Sequence, residues 1–171
     1  KDATKKDLGA IARAYGNVYV AQIAVGANDV QTVKALLEAD AWPGPSLVIA
    51  YSPCIAHGYD LRQGAEQQKL AVASGVWPLY RFDPRRAAKG LPPLELDSGA
   101  PTTKARDFMK NEGRFRSIAL SDPKRYAGFV EQAERAALER RAQYEQLASE
   151  HRVPGPAPAR AQARAARAGP T

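Results

Sequence analysis

Val18-Tyr19-Val20-Ala21-Gln22-Ile23-Ala24-Val25, Asn28-Asp29-Val30-Gln31 and Ser46-Leu47-Val48-Ile49-Ala50-Tyr51 decide the fold. The first segment is rich in β-branched and aromatic residues and nearly all apolar, which suits a strand covered on both faces. Gly26-Ala27 breaks it. Asn28 is then placed to cap a helix, with Gln31 three residues on completing a capping box. Val30, Val33, Leu36 and Leu37 are expected to supply that helix's buried stripe. Trp42-Pro43-Gly44-Pro45 ends it, because two prolines deny it backbone donors. Leu47 to Tyr51 reads as a second buried strand, parallel to the first. Strand, helix and strand with short links form a βαβ unit, right-handed in nearly all cases. Residues 18–51 are thus a parallel-sheet fragment, and the fold class is α/β.

Working outward, Leu8, Ile11, Ala12 and Tyr15 recur at i, i+3, i+4, i+7, predicting an amphipathic helix over 5–15 that Gly16-Asn17 stops. Residues 60–74 look helical and are closed by Gly75. Residues 76–83 alternate weakly and contain Pro78, so they form an edge strand at best. Residues 84–101 hold many prolines and glycines and read as an extended connection. Ser121 is expected to cap a long helix, with Asp122 and Pro123 in its first turn. Along it Tyr126, Val130, Ala133, Ala137, Arg140, Tyr144 and Leu147 make a heptad seam broken only at Arg140. That seam either packs on its own subunit or embraces a partner. From Val153 the chain is Pro/Ala/Arg low complexity with nothing to bury, so disorder is expected. The pattern divides into 1–83 (α/β), 84–151 (connection and long helix) and 152–171 (tail).

A chain of 171 residues, 44% hydrophobic and 25% charged, has room for one domain with a real core. No apolar run approaches the roughly 20 residues a membrane helix needs. The start, Lys1-Asp2-Ala3-Thr4-Lys5-Lys6, has no signal-peptide core behind it, and the only methionine is Met109, so the chain reads as a piece of a longer product. One cysteine excludes an internal disulfide framework and fits a reducing cytoplasm. The net charge of +7 is largely a property of the tail: without Arg152, Arg160, Arg164 and Arg167 it falls to +3. Nucleic acid is therefore not the expected partner.

The chemistry-bearing residue is Cys54. The second apolar run stops at Ser52-Pro53 and delivers Cys54 just beyond the strand's carboxyl end, where open α/β sheets place ligands. A soft thiolate suits an iron–sulfur cluster, but such a cluster takes four. Either Cys54 is an inert buried thiol, or the other ligands lie on polypeptide absent here. His57 reads as a hydrogen-bonded structural imidazole before it reads as a general base. The helix cap accounts for Asn28, a solvated helix face for Asp60, Glu66 and Lys69, and packing for Trp42 and Trp77. No Gly-x-Gly-x-x-Gly, Walker sequence or zinc-spaced Cys/His pair occurs.

From Lys5 to about Pro84 the chain resembles the pyruvate:ferredoxin (flavodoxin) oxidoreductases, at the C-terminal part of their thiamine-diphosphate domain. The residues that carry this are Lys5-Lys6-Asp7-Leu8-Gly9, Tyr15-Gly16-Asn17-Val18-Tyr19-Val20-Ala21, Gly26-Ala27-Asn28, Pro43-Gly44-Pro45-Ser46-Leu47, Ile49-Ala50-Tyr51-Ser52-Pro53-Cys54-Ile55-Ala56-His57-Gly58 and Trp77-Pro78-Leu79-Tyr80-Arg81. A looser likeness continues to about Ser149. The resemblance implies oxidative decarboxylation of pyruvate on thiamine diphosphate and Mg²⁺, acyl transfer to coenzyme A, and electron transfer through [4Fe-4S] clusters to ferredoxin or flavodoxin. It implies a homodimer of the parent enzyme and makes Cys54 one ligand of the cluster nearest the thiamine. It places the diphosphate-binding residues and the other three cysteine ligands upstream of Lys1. The piece alone is therefore expected to bind neither cofactor and to catalyse nothing.

Two alternatives stand beside it. One is the thiamine-diphosphate subunit of another 2-oxoacid:ferredoxin oxidoreductase. The Trp77-Pro78-Leu79-Tyr80-Arg81 continuation and the long C-terminal extension favour the pyruvate enzyme over it. The other is a nucleic-acid-binding or adaptor module using the arginine tail, whose binding would fall steeply with salt.

Overall fold

The computed structural model describes residues 6–150. α1 (Leu8–Ala14) leads into β1 (Tyr19–Ile23), α2 (Asp29–Asp40) and β2 (Ser46–Ala50). Two single turns of 3-10 helix follow, Ile55–His57 and Leu61–Gln63. Then come α3 (Gly64–Ala73), β3 (Tyr80–Phe82), α4 (Pro84–Ala87), β4 (Leu94–Leu96), α5 (Ala105–Met109), α6 (Gly113–Ser121) and α7 (Pro123–Ser149). No helix among the described residues is long and apolar enough to cross a membrane.

The sheet runs β2-β1-β3-β4. β1 and β2 are parallel, in register from Tyr19 opposite Ser46 to Ile23 opposite Ala50. β3 is antiparallel to both β1 and β4. The α/β class stands, but the sheet is mixed, parallel only across the βαβ unit. The expected strand positions also exchange. β3 is interior and fully buried, because Pro78 stands before the strand and costs no ladder bond, and Gln22 Nε2 donates to its carbonyl at 2.7 Å. β2 is the edge, with Ser46 and Ala50 exposed and the three residues between them half-buried. Residues 84–101 are not an extended connection: they contain α4 and β4, and β4 lies in the same sheet as β1.

Both sheet faces are covered. Tyr19, Ala21 and Ile23 pack with Ala35 and Trp42 on the α2 side. Val20, Tyr80, Phe82 and Leu94 pack against Tyr144 of α7 on the other. A third cluster of Ala71, Phe108, Met109 and Val130 joins α3, α5 and α7. Along the α7 seam Val130, Ala137 and Tyr144 are buried and the other four positions are half-buried. The seam therefore packs on its own chain. Arg140, the break in it, donates to the Val76 carbonyl at 3.0 Å. Asp122, not Ser121, caps α7 through the Arg125 amide; Ser121 closes α6. Asp7 caps α1 and accepts from the Tyr144 hydroxyl at 3.1 Å, tying the first described helix to the last.

α2 is where the expectation reverses. Asn28 caps it, accepting from the Gln31 amide, but the Gln31 side chain does not return the bond. It turns inward and donates to the Gln22 carbonyl and to Asp97 Oδ2. Gln31, Thr32 and Ala35 are the buried residues of the helix, while Val30, Val33, Leu36 and Leu37 are exposed. The cause is Arg81, which β3 places on the α2 side of the sheet. Its side chain is 4% exposed and meets Glu38 of α2 at 2.7 Å, Asp97 at 2.8 Å and Glu95 at 3.2 Å. A buried guanidinium needs carboxylates around it. So the helix turns its polar and small face to the sheet. Leu8 and Ile11 on α1, and Tyr15 at its C-terminal cap, are likewise exposed.

Candidate functional site

The site lies past the carboxyl end of β2. Tyr51 continues the strand's pairing by donating to the Ile23 carbonyl at 2.9 Å. Ser52-Pro53 then carries the chain to Cys54, which is extended (φ −140°) and caps the first 3-10 turn. Cys54 is a free cysteine and is exposed among the described residues.

The loop around Cys54 is pinned from beneath. The Cys54 carbonyl accepts from the His57 amide and the Ile55 carbonyl from the Gly58 amide, both at 3.0 Å. Gly58 has φ +74°, a conformation glycine adopts without the strain a Cβ would bring. Its carbonyl accepts from the Gly113 amide at 3.0 Å and from Arg116 at 3.3 Å. The loop is thereby stapled to the first turn of α6.

Below that staple lies Glu112, whose residue is fully buried. Its carboxylate accepts from Gln67 Nε2 at 3.1 Å and from the Tyr51 hydroxyl at 3.4 Å, and it pairs with Arg114. His57 Nδ1 lies 3.9 Å from the same carboxylate, and the ring stacks on Tyr59 at 6.3 Å between centroids. His57 Nδ1 and the Tyr59 hydroxyl are both enclosed without a hydrogen-bond partner among the described residues. Burial first, and the Glu112 charge second, push the Tyr51 and Tyr59 hydroxyls above the ordinary tyrosine value. Tyr51 meets Trp77 edge-on at 5.5 Å, and the Trp77 indole donates to the Ile23 carbonyl. Glu112 is enclosed, and its charge is met by Arg114.

No group of three or more His, Cys, Asp or Glu able to hold a metal occurs among the described residues. Cys54 offers one soft ligand on an exposed residue, and the sequence holds no second cysteine. Asn28 is a cap and Trp42 is core, as expected. Asp60 accepts from Arg62 at the surface, and Glu66 pairs with Lys69 there. The sequence reading missed Glu112, Gly113 and Arg114, which lie in a stretch without apolar period. The arginine-rich segment 152–171, on which disorder and the nucleic-acid reading rest, lies outside the described residues.

No family model matches the chain. Curated relatives do. It is 57% identical over 148 residues to a pyruvate-flavodoxin oxidoreductase of Rhodospirillum rubrum, covering 86% of this chain and 12% of the relative. It is 48% identical over 149 residues to the pyruvate-flavodoxin oxidoreductase of a Nostoc species, covering 87% and 12%. It is 45% identical over 148 residues to the pyruvate:ferredoxin oxidoreductase of Moorella thermoacetica, covering 86% and 12%. The chain belongs to the pyruvate-flavodoxin oxidoreductase family. It spans about 12% of the length of these relatives, so it corresponds to one segment of a much longer pyruvate-flavodoxin oxidoreductase. The matched stretch of 148 residues is long enough to take in both the cysteine loop and most of the helical part.

Proposed function

We propose that this chain is the C-terminal piece of a pyruvate:ferredoxin (flavodoxin) oxidoreductase, comprising the end of its thiamine-diphosphate domain and a helical extension. Cys54 would donate one thiolate to a [4Fe-4S] cluster. The single observation that carries this is an exposed, unpaired cysteine past the carboxyl end of a parallel strand, on a loop whose backbone is fixed by Gly58 and Gly113. An exposed cysteine on a pinned loop suits a ligand that must meet three others at set angles. The sequence holds no second cysteine, so those three come from the rest of the parent, as do the residues that hold thiamine diphosphate and Mg²⁺.

The bound cluster would supply one-electron transfer toward ferredoxin or flavodoxin. This chain's own contributions are to hold the sulfur, to keep the loop from collapsing and, through Trp77 and Tyr51, to pack the layer behind it. The parent would oxidise pyruvate and pass the acyl group to coenzyme A, working in the cytoplasm as a homodimer. The isolated chain would bind neither thiamine diphosphate nor an intact cluster. Stoichiometric cluster absorbance after anaerobic reconstitution of the isolated chain would count against that.

The test is Cys54→Ala in the full-length parent, with clusters counted and low-temperature EPR compared under dithionite. The expected result is loss or alteration of one cluster signal and collapse of pyruvate oxidation, with thiamine diphosphate still bound. An unchanged cluster count with full activity would overturn the ligand assignment.

A further inference from the structure

We propose that the outward face of α2 is a docking seam for a helix supplied by the same polypeptide outside residues 1–171. The proposal rests on the finding that this chain is a segment of a longer protein, not on the role of Cys54. Val30, Val33 and Leu37 are 75%, 56% and 66% exposed. With Ala41 they fall at i, i+3, i+7 and i+11, one straight stripe over three turns of helix. Scattered surface hydrophobes do not line up this way; a helix–helix seam does. The stripe floors an open groove of about 600 Å³ walled by Lys34 and Arg85.

The groove is braced by hydrogen bonds and ion pairs on both sides of α2. Arg85, on α4, donates to the Glu38 and Ala41 carbonyls at the end of α2 and is clamped by Asp83 at 2.8 Å. On the inner side the Arg81 cluster and the Gln31 bonds fix the rotation of α2, so the helix cannot roll to hide its apolar residues. Because this face points away from the sheet, its cover is a third layer rather than a neighbour within the α2 layer. The two terminal stretches outside the described residues are poor in large apolar side chains. Residues 1–5 are Lys-Asp-Ala-Thr-Lys, and residues 151–171 contain one large apolar side chain, Val153. About 88% of the length of the relatives lies outside the match, which leaves ample polypeptide in cis.

The experiment places the photo-crosslinker p-benzoylphenylalanine at Val33 in the full-length parent, and separately at Leu37 in case one site perturbs folding. Irradiated protein is sized under denaturing conditions, and the adducts are mapped by mass spectrometry. The expected result is a product of single-chain mass, joined to a segment outside residues 1–171 whose apolar residues recur at helical period. A product of doubled mass would assign the seam to a second copy and overturn the proposal. Solvent adducts alone at both positions, or an adduct on a segment without that period, would overturn it as well. The Cys54→Ala experiment reads cluster content and is blind to this outcome, so either reading can fail without the other.

Discussion

Gly58 and Gly113 meet backbone to backbone, with the Gly113 amide donating to the Gly58 carbonyl at 3.0 Å. The contact leaves no room for a side chain on either partner. A Cβ on Gly113 would stand 2.9 Å from the Gly58 oxygen, and one on Gly58 would stand 2.9 Å from the Gly113 Cα. Both obstacles are backbone and cannot swing aside. Gly113→Ala should cost the loop about 1–3 kcal/mol of overpacking. Gly58→Ala should cost more, because a non-glycine residue at φ +74° adds roughly 1–2 kcal/mol of its own. In the full-length enzyme, amide exchange across residues 54–58 should quicken by about tenfold or more in both variants. Cluster content should fall if Cys54 is a ligand. Gly128→Ala in α7 is the control, since a Cβ there meets nothing within 4 Å. It should leave exchange in the loop unchanged.

Glu112 holds the floor of that loop. Glu112→Ala removes the acceptor shared by Gln67 and Tyr51 and leaves Arg114 without its counter-charge. Stranding buried donors costs about 1–3 kcal/mol. Glu112→Gln keeps the shape, yet sets an amide against donors and loses the charge. Limited proteolysis of the full-length enzyme should cut between residues 52 and 60 several times faster in Glu112→Ala than in wild type, with Glu112→Gln in between. Equal cutting rates in all three would show that the carboxylate does not hold the loop.

The sequence and the structure part company for identifiable reasons. The βαβ unit, the Asn28 cap and the placement of Cys54 were legible because each depends on residues close together in the chain. The orientation of α2 was not. Apolar period locates a stripe but does not say what faces it. Here the inner face was decided by Arg81, whose partners Glu38 and Asp97 lie 43 and 16 residues away. β3 was misread for a related reason: Pro78 lowers strand expectation for its neighbourhood, while the three paired residues begin two positions later. Glu112 and Gly113 carry no pattern at all. Their role exists only because α6 starts under the cysteine loop.

Tyr51 gives the site a pH signature. Burial first and the Glu112 charge second raise its hydroxyl above the ordinary value, so the folded protein holds the neutral phenol. The sign follows: the folded state binds the proton more tightly than the unfolded one. Its contribution is complete below pH 10, the ordinary tyrosine value, and is lost as pH rises above it. With 3-fluorotyrosine at position 51 of the full-length enzyme, the ¹⁹F signal should titrate above its value in denaturant. In Glu112→Gln the midpoint should move down yet stay above the denatured value, since burial remains. A midpoint unmoved by Glu112→Gln would remove the carboxylate as a cause.

Arg81 is the residue on which the sheet and α2 depend together. It offers two nitrogens to Asp97 and one to Glu38, a forked geometry that lysine cannot reproduce. Burial opposes its charge, but the hydrogen-bonded Asp97 and Glu38 carboxylates outweigh that, and the guanidinium pKa is raised. Arg81→Ala leaves Glu38 and Asp97 without a cation, while Glu95 keeps Arg86 at 2.9 Å, a loss of about 3–5 kcal/mol. Arg81→Lys restores the charge without the fork and should recover only part of it. Both should raise amide exchange along α2, where Glu38 and Gln31 are anchored. The triple change Arg81→Met, Glu38→Leu, Asp97→Leu removes the charges together and should exchange more slowly than Arg81→Ala alone, because buried ions cost most when one partner is missing. If the triple variant opens as readily as Arg81→Ala, shape at this site matters more than unpaired charge.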